Sequence, residues 1–320
     1  MLLNAKPTIN LNQISSKATQ ISQQLIESAK NYQNKCLVII DPFLAPINDP
    51  IIHQFKKTGQ LHQVLIMHSA IRIDQRPCIL ELNLTQEYDK QTLLYITNKA
   101  LLQLTPQHEL MGCGRHYCAW LFTNKEVNYI VNDISKTLLQ TKEEKGKTFL
   151  FRYFDAMIFP QLMSTLTLFQ KSRLFGLIEL WGIITNEEKL VTYHNPDRPT
   201  AVMSGQLYLT DEQIKKLYCI GINNQIIKMH RLINPSQNID VIAYLNKITP
   251  CIERILNKNI NDEALIIEWG KLALKLGADF DLDPKVQEKI KDLTTSQAFY
   301  PVVSQLHALN KQNYQSMKEE

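Results

Sequence analysis

Apolar residues in the first part of the chain occur in two patterns, short continuous runs and helical spacing. A continuous apolar run that stops at turn residues is typical of a buried strand, whereas apolar residues three or four apart indicate a helix. Ile14, Ile21, Leu25 and Ala29 place a thin apolar stripe on a polar N-terminal segment and predict an amphipathic helix. The other elements expected up to residue 122 are strands at 36–41, 63–69, 78–83 and 117–122 and a helix at 87–104.

The segment after residue 122 begins with Thr123 and Glu126, three positions apart and directly before an apolar-periodic stretch. This spacing predicts a capping box, in which the two side chains cap the start of a helix that continues to residue 139. The solvated turn that follows leads to the run TFLFRYF at 148–154, which predicts a strand.

The residues after this strand predict another helix, with Asp155 placed as its cap. Pro160 fits poorly beyond the first turn of a helix, so we expect an irregular start or a kink. The apolar face of this helix is expected to carry Ile158, Leu162, Leu166 and Phe169. Residues 174–184 then predict a strand, and 189–194 its hairpin partner.

From residue 210 the pattern becomes helical almost to the end of the chain, with a second capping box at Thr210 and Gln213. We predict helices at 211–233, 237–257, 262–276, 284–294 and 296–310. The fold class expected is therefore α+β, with a mixed α/β N-terminal lobe and a mostly helical C-terminal lobe. The expected domains are an N-terminal amphipathic extension at 1–34, an α/β lobe at 35–200 and a helical lobe at 201–320.

Composition excludes several classes of protein. The 320 residues are 44% hydrophobic and 21% charged, which is enough apolar material for a core and argues against disorder. The net charge of +4 is too small for the basic stripe that nucleic acid requires, so no nucleic-acid partner is expected. No apolar run has membrane-spanning length, and the start lacks the pattern of a signal peptide. The six scattered cysteines border apolar runs, which predicts reduced, buried thiols in the cytoplasm.

One cluster has the residue types of a zinc site. The segment HELMGCGRHYC supplies imidazole and thiolate groups, which are the ligands that zinc prefers. Its spacing matches neither a finger nor a ribbon, so a glycine-rich loop leading into a strand with a buried cysteine is the simpler interpretation. We expect no metal or other cofactor, and the weak candidate ligands are His108, Cys113, His116 and Cys118.

Other chemical motifs are absent or incomplete. The GKT at 146–148 has Thr141 where a phosphate-binding loop needs glycine, and it precedes a strand rather than a helix. The acidic run at 279–283 has Pro284 and Ile290 where a calcium loop needs glycine and glutamate. No nucleophile elbow or HExxH zinc motif occurs in the sequence.

Arg152 and Asp155 stand out because they are charged residues in a strongly apolar setting. Strand alternation turns Arg152 toward an apolar layer or its rim, where a guanidinium needs a partner, and Asp155 is the nearest candidate in sequence. Asp155 also suits the helix start. A catalytic carboxylate usually has a second carboxylate or a histidine nearby, and the twenty residues after Asp155 contain neither. We therefore expect a structural role for both residues.

Three segments together resemble a known family. They are AWLFT at 119–123, FRYFD at 151–155 and the stretch from Phe175-Gly176 to Trp181. In this order and spacing they are similar to the motifs of the adaptor proteins of bacterial type VI secretion, a family encoded beside the spike protein VgrG and its effectors. The likeness extends over most of 35–295. The residues that carry the family's motif are Trp120, Phe151, Arg152, Tyr153, Asp155, Gly176 and Trp181.

The chain departs from the family's pattern at several positions. Ala119 stands where the family has glycine, Ala156-Met157 where it has Pro-Arg, and Leu177 where it has proline. If the family's second arginine contacts a partner, this chain lacks that contact. The resemblance implies a cytoplasmic adaptor or chaperone without enzymatic activity. Such an adaptor holds a toxic effector and helps load it onto the VgrG spike. No membrane partner is expected.

Two alternatives stay open at this point. An α/β enzyme with an unrecognised site would show a polar pocket with convergent titratable groups. A zinc-stabilised binding module would use the segment from His108 to Cys118. The oligomeric state is left open, and we expect both Trp120 and Trp181 to be mostly buried.

Overall fold

The computed structural model of the chain describes residues 13–46, 49–68, 71–105, 107–108, 114–142, 147–196, 205–234 and 239–308. The chain divides into two compact units, Met1–Thr210 and Asp211–Glu320. The first unit contains an antiparallel sheet with helices, and every regular element described in the second unit is a helix. The α+β class predicted from the sequence is therefore confirmed.

The first unit contains six described α-helices and eight strands. The helices are α1 (Ser16–Ala29), α2 (Pro50–Thr58), α3 (Glu87–Leu102), α4 (Val127–Thr137), α5 (Phe159–Thr165) and α6 (Leu168–Phe175). The strands are β1 (Lys35–Ile40), β2 (Leu61–Gln63), β3 (Cys78–Asn83), β4 (Tyr117–Phe122), β5 (Leu139–Lys142), β6 (Lys147–Leu150), β7 (Leu180–Ile184) and β8 (Leu190–His194). Six of the strands form one sheet in the order β2-β3-β1-β4-β7-β8, and β5 pairs with β6 separately.

The central strands are buried because their sequences are apolar on both faces. Every residue of β4 and all of β1 after Lys35 are buried. On one face α1 and α3 pack together, and Ile21, Leu25 and Leu93 join the same core cluster as Trp120. Helix α1 therefore belongs to the core of the first unit.

The opposite face of the sheet carries an aromatic cluster around Trp181. Trp120 pairs with Gly182 across β4 and β7, so Trp120 and Trp181 point to opposite faces. The Trp181 ring stacks on Phe159 with the centroids 4.6 Å apart, and the Phe175 ring lies at 6.1 Å. Both tryptophans are fully buried, as the sequence predicts.

The second unit has its own hydrophobic core. Its helices are α7 (Asp211–Ile233), α8 (Val241–Asn257), α9 (Glu263–Leu276), α10 (Pro284–Ile290) and α11 (Ser296–Ala308). Trp269 of α9 is buried at the centre of this core, with the Phe280 ring at 5.0 Å and the Phe299 ring at 5.7 Å. Asp283 caps α10, because its carboxylate accepts the Lys285 N–H at 2.9 Å.

Two predicted strands end early. The strand expected at 63–69 stops at Gln63, and the Val64 N–H donates to the Pro77 carbonyl at 2.8 Å. Proline has no N–H to return this bond, so the ladder ends there. The strand expected at 148–154 stops at Leu150, because the Tyr153 N–H donates to the Phe151 carbonyl at 2.8 Å and tightens the backbone into a turn.

The capping box predicted at Thr123 and Glu126 is wrong. Helix α4 begins at Val127, after Glu126, which makes no capping bond with its side chain. The Thr123 hydroxyl instead donates to the Leu177 carbonyl at 2.7 Å and accepts the Lys125 N–H at 3.1 Å. A contact distant in sequence therefore takes the oxygen that the local pattern assigns to the helix.

The single helix predicted after Asp155 is two short helices, α5 and α6. Pro160 is accepted near the start of α5, where its missing N–H costs little. The chain is extended at Leu166, and Thr167 with Gln170 forms a capping box that starts α6. Phe169 is consequently exposed rather than on a buried helix face, and the strand predicted from residue 174 begins only at Leu180.

Candidate functional site

Arg152 binds a carboxylate that the sequence analysis did not select. Its guanidinium contacts the Asp41 carboxylate at the end of β1, while the Asp155 carboxylate lies farther away, at 4.0 Å. The same guanidinium lies over the rings of Phe43 and Phe154, at 5.6 and 5.9 Å from their centroids. The predicted pairing with Asp155 is therefore secondary to the pairing with Asp41.

Asp41 is buried and connects Arg152 to the loop after β1. Burial raises the pKa of its carboxyl and outweighs the opposing effect of the Arg152 charge. One carboxylate oxygen accepts the Phe43 N–H at 3.0 Å, and the Asp41 N–H donates to the His116 carbonyl at 2.8 Å. Arg152 and Asp41 together fix the backbone that presents Phe43 to solvent.

Asp155 stabilises a turn rather than a helix start. Its carboxylate accepts the Met157 N–H at 2.8 Å, two residues along the chain. Helix α5 begins later, after Ile158, which has no side chain able to cap it. The cap predicted for Asp155 is therefore wrong, although its oxygen does bond the backbone as an aspartate in a turn commonly does.

Two pockets lie on either side of Phe43, and together we call them the Phe43 cleft. The smaller pocket, of about 200 Å³, is lined mostly by apolar residues, and Arg152 and Asp41 also line it. The larger, of about 570 Å³, extends along α2 and β2. Both pockets share Phe43 and Gln75. The other apolar residues of the smaller pocket are Ile66, Ile71, Pro77, Leu150 and Phe154.

Exposed apolar side chains surround this cleft. Phe43 is 58% exposed, and Met67, which follows the pocket residue Ile66 in the segment after β2, is 89% exposed. Leu150, which lines the smaller pocket, is also exposed. So are Leu65 and Ile73, which are next in sequence to residues that line the cleft. Large apolar side chains concentrated on one surface mark a place where another molecule binds.

The larger pocket also carries charged side chains. Arg72 and Asp74 form an exposed ion pair at 3.1 Å, so their charges largely cancel. Lys56 and His53 of α2 line the same pocket. The larger pocket therefore combines an apolar surface with lining charges that balance, because Asp49 offsets Lys56.

A buried polar cluster lies behind the larger pocket and was missed by the sequence analysis. Asp49 accepts the Tyr117 hydroxyl at 3.1 Å, lies 3.1 Å from His116 Nε2, and caps α2 through the N–H groups of Ile51 and Ile52. Gln103 Nε2 lies 3.0 Å from His116 Nδ1. No signal in the sequence links these residues, because they come from three separate segments.

The Asp49 carboxylate is fully occupied by these bonds. Burial is the largest influence on its pKa and would raise it, but the bonds and charge of His116, with those from Ile52 and Tyr117, outweigh burial and lower the pKa. Both oxygens already accept hydrogen bonds from the protein, so little capacity remains to take a proton from a substrate. The cluster holds α2 against β4.

The remaining motif residues are also parts of the core. Phe151 and Tyr153 are buried, and the Tyr153 ring lies 5.8 Å from Trp181. Gly176 ends α6 with φ +53° and ψ −118°, a conformation that side-chain-bearing residues rarely adopt. The motif therefore builds the sheet face and the Phe43 loop.

The candidate zinc ligands do not converge in the described residues. His116 is engaged with Asp49 and Gln103, and His108 lies 3.2 Å from the Gly114 carbonyl. Cys118 is buried in β4, and Cys113 lies outside the described residues. Among the residues described, no group of three or more His, Cys, Asp or Glu side chains is arranged to hold a metal ion.

The five cysteines within the described residues are all buried and free. Burial raises the pKa of each thiol, to about 11 for Cys78 and Cys219. Cys78 lines the larger pocket, yet at neutral pH its thiol stays protonated and is a poor nucleophile.

Comparison of the chain with protein-family models, with curated proteins and with solved structures finds no match. The resemblance to type VI secretion adaptors therefore stays a prediction from the motif residues. Among the described helices, none combines the length and the apolar character needed to cross a membrane.

Proposed function

We propose that this protein is a cytoplasmic, non-enzymatic adaptor that holds a type VI secretion effector and helps to load it onto the VgrG spike. The observation that carries the proposal is the Phe43 cleft. Its exposed apolar rim stands directly on Arg152, the charged residue at the centre of the motif that resembles the adaptor family. In this proposal the motif arginine shapes a binding surface and takes no part in chemistry.

The competing enzyme hypothesis depends on the titratable groups of the larger pocket. Of these, the Asp49 carboxylate already accepts several hydrogen bonds, and the Cys78 thiol has a raised pKa. A nucleophile needs a lowered pKa or an adjacent base, and a general base needs a free acceptor position. These environments favour binding over catalysis.

The test is affinity isolation of the tagged full-length chain from its native cells while the secretion system is expressed, followed by mass spectrometry. The proposal expects a spike protein and a large toxin-like protein in the same sample. Met67→Glu places a charge on the rim of the cleft and is expected to reduce recovery of the toxin-like protein by about tenfold, since a desolvated apolar contact contributes about 1.4 kcal/mol or more.

Ile242→Glu is the matched control, because Ile242 is also an exposed apolar residue but lies on α8 of the second unit. It should leave recovery unchanged, and circular dichroism should show both variants folded. Recovery of neither partner by the wild-type chain would contradict the proposed function. Equal recovery by Met67→Glu and the wild type would remove the cleft as the effector site.

A further inference from the structure

A second exposed aromatic surface lies on α6 and the segment just before Thr210. The Arg173 guanidinium lies between the rings of Phe169 and Tyr208, 5.5 and 5.4 Å from their centroids. Leu168 precedes Phe169 in the first turn of the same helix. We call Leu168, Phe169, Arg173 and Tyr208 the Arg173 stack, and none of them lines the Phe43 cleft.

Hydrogen bonds from Gln170 hold the backbone of the stack at Tyr208 in an uncommon conformation. Gln170 is buried, and its amide donates to the carbonyls of Leu207 and Tyr208 at 3.2 and 3.3 Å. Tyr208 adopts φ +51°, a left-handed conformation that is uncommon for residues other than glycine. Such strain persists only where the surrounding structure holds it, and it concentrates at functional positions.

The stack remains exposed although its side chains are large. Leu168 is 68%, Phe169 54% and Tyr208 59% exposed. Tyrosine and arginine on exposed surfaces are the residues that most often dominate the energy of protein interfaces. The aromatic rings therefore contribute little to the core and are available to a partner.

Arg173 lacks the acceptor that its guanidinium requires. Its Nε atom is buried from solvent without a hydrogen-bond partner. Within the described part of the chain, Arg173 forms no ion pair, whereas Arg152 and Arg254 each bind a buried aspartate. Because Nε is closed to solvent, a partner would meet the outer nitrogens of the guanidinium, and a cation at two aromatic faces without an ion pair matches a carboxylate in charge and in hydrogen bonding.

We propose that the Arg173 stack is a second docking surface, which binds an aspartate or glutamate flanked by apolar residues in a segment of a protein partner. The carboxylate accepts from the Arg173 guanidinium, and the apolar neighbours pack on Leu168, Phe169 and Tyr208. The assignment rests on the proposed function in one respect, since an adaptor that holds two proteins at once needs two separate surfaces.

The experiment places a photo-crosslinking residue on the stack of the tagged full-length chain in its native cells. Leu168→p-benzoylphenylalanine is expected to crosslink to another protein, at a peptide that contains Asp or Glu. Leu102→p-benzoylphenylalanine is the control, because Leu102 is exposed at the end of α3. Adding Arg173→Gln should reduce the Leu168 crosslink by about tenfold, and Arg173→Lys should reduce it less, because lysine keeps the charge.

Several outcomes would overturn the assignment. They are a crosslink no stronger than that from position 102, a crosslink to the chain itself or to a second copy, a crosslinked segment without a carboxylate, and a crosslink that Arg173→Gln leaves unchanged. Thermal unfolding of Arg173→Gln and Arg173→Lys shows whether either variant is misfolded.

Failure of this inference is distinguishable from failure of the proposed function. If affinity isolation recovers the spike and the toxin-like protein but position 168 does not crosslink, the Arg173 stack alone is wrong. If affinity isolation recovers neither of these proteins but position 168 crosslinks through a carboxylate segment to another protein, the docking surface stands and the secretion role is wrong.

Discussion

Arg152 shows how one charged side chain is tolerated in an apolar setting. Its partner, Asp41, is distant in the sequence but adjacent in space, at the end of β1. Removing one member of a buried ion pair leaves the other charge without compensation, which costs more than the pair contributes. The Arg152–Asp41 pair therefore sets a clear expectation for stability.

Asp41 and Arg152 are separated by 111 positions along the chain. This separation explains why the sequence analysis selected Asp155, which is close along the chain, instead of Asp41. The local pattern shows that Arg152 needs a partner, but the antiparallel sheet decides which carboxylate reaches it.

Arg152→Ala is expected to lower the free energy of unfolding by about 3 kcal/mol, because Asp41 stays buried without its counter-charge. Urea unfolding at neutral pH measures the change. Arg72→Ala is the control, since Arg72 and Asp74 form an exposed pair that should contribute less than about 1 kcal/mol. Equal losses from the two variants would show that the Arg152–Asp41 pair does not stabilise the fold.

Asp49 predicts a dependence of stability on pH. Its pKa in the folded state is lowered from the ordinary value of 3.8, so its contribution is present above that value and is lost as the pH falls through the folded pKa. We expect Asp49→Asn to be less stable than the wild type by about 2 kcal/mol near neutral pH, with the difference shrinking below pH ~3.8.

The measurement is urea unfolding of both proteins across this pH range. Asp74→Asn, at an exposed position, serves as the control and should change stability little at any pH. A difference between the wild type and Asp49→Asn that stays constant down to the most acidic pH would contradict the lowered pKa.

At the scale of the element, the sequence predicts the long helices and the central strands well. The helix predicted at 262–276 is observed as α9 at Glu263–Leu276, because its apolar spacing and capping Asp262 agree. The elements that differ are those whose ends are set by distant contacts. Thr123 bonds to Leu177, and β6 ends where Tyr153 turns into the aromatic cluster around Trp181.

The candidate site was less predictable than the fold. The sequence identifies Arg152 as unusual, but the Phe43 cleft needs the loop after β1, helix α2 and the segment after β2 to meet. Helix α2 was not predicted, although Asp49-Pro50 is a capping residue followed by a proline at the first helical position. That local signal was available in the sequence and was overlooked.

Two glycines in the helices of the second unit predict opposite effects of the same substitution. A Cβ on Gly270 of α9 would lie 2.3 Å from Ile226 Cδ1 of α7 and 3.0 Å from Ile252 Cδ1 of α8, so alanine would force these side chains to shift within a packed core. Gly221 of α7 has no atom within 4 Å of its Cβ position.

Gly270→Ala is therefore expected to destabilise the protein by about 1–3 kcal/mol, because the core is overpacked. Gly221→Ala should stabilise it by about 1 kcal/mol, since alanine restricts the unfolded chain more than glycine does. Thermal unfolding of the two variants beside the wild type measures both effects. A stabilising Gly270→Ala would show that the isoleucines move aside at little cost.

At the scale of the whole molecule, each of the two units has a core of its own. The second unit buries Trp269, Phe280 and Phe299 together with aliphatic residues from α7 to α11. A unit with its own hydrophobic core can in principle fold alone. The domain boundary predicted at 200/201 lies near the division found between Thr210 and Asp211.

We expect a fragment of residues 209–308 to be helical by circular dichroism and to unfold cooperatively on heating. A fragment ending at residue 293 is the control, because it lacks α11 and with it Phe299, whose ring lies 5.7 Å from Trp269. The shorter fragment should lose the cooperative transition. Gradual melting of the longer fragment would show that the second unit depends on the first for its stability.

The five cysteines within the described residues are buried, so alkylation of their thiols reports when the structure around them opens. A thiol that is buried and protonated reacts with an alkylating reagent only after the surrounding structure opens. In a Cys113→Ser variant, the rate of alkylation at Cys36 measures how often the first unit opens, and the rate at Cys251 measures how often the second unit opens. The opening rates of the two units can then be measured separately within one intact chain.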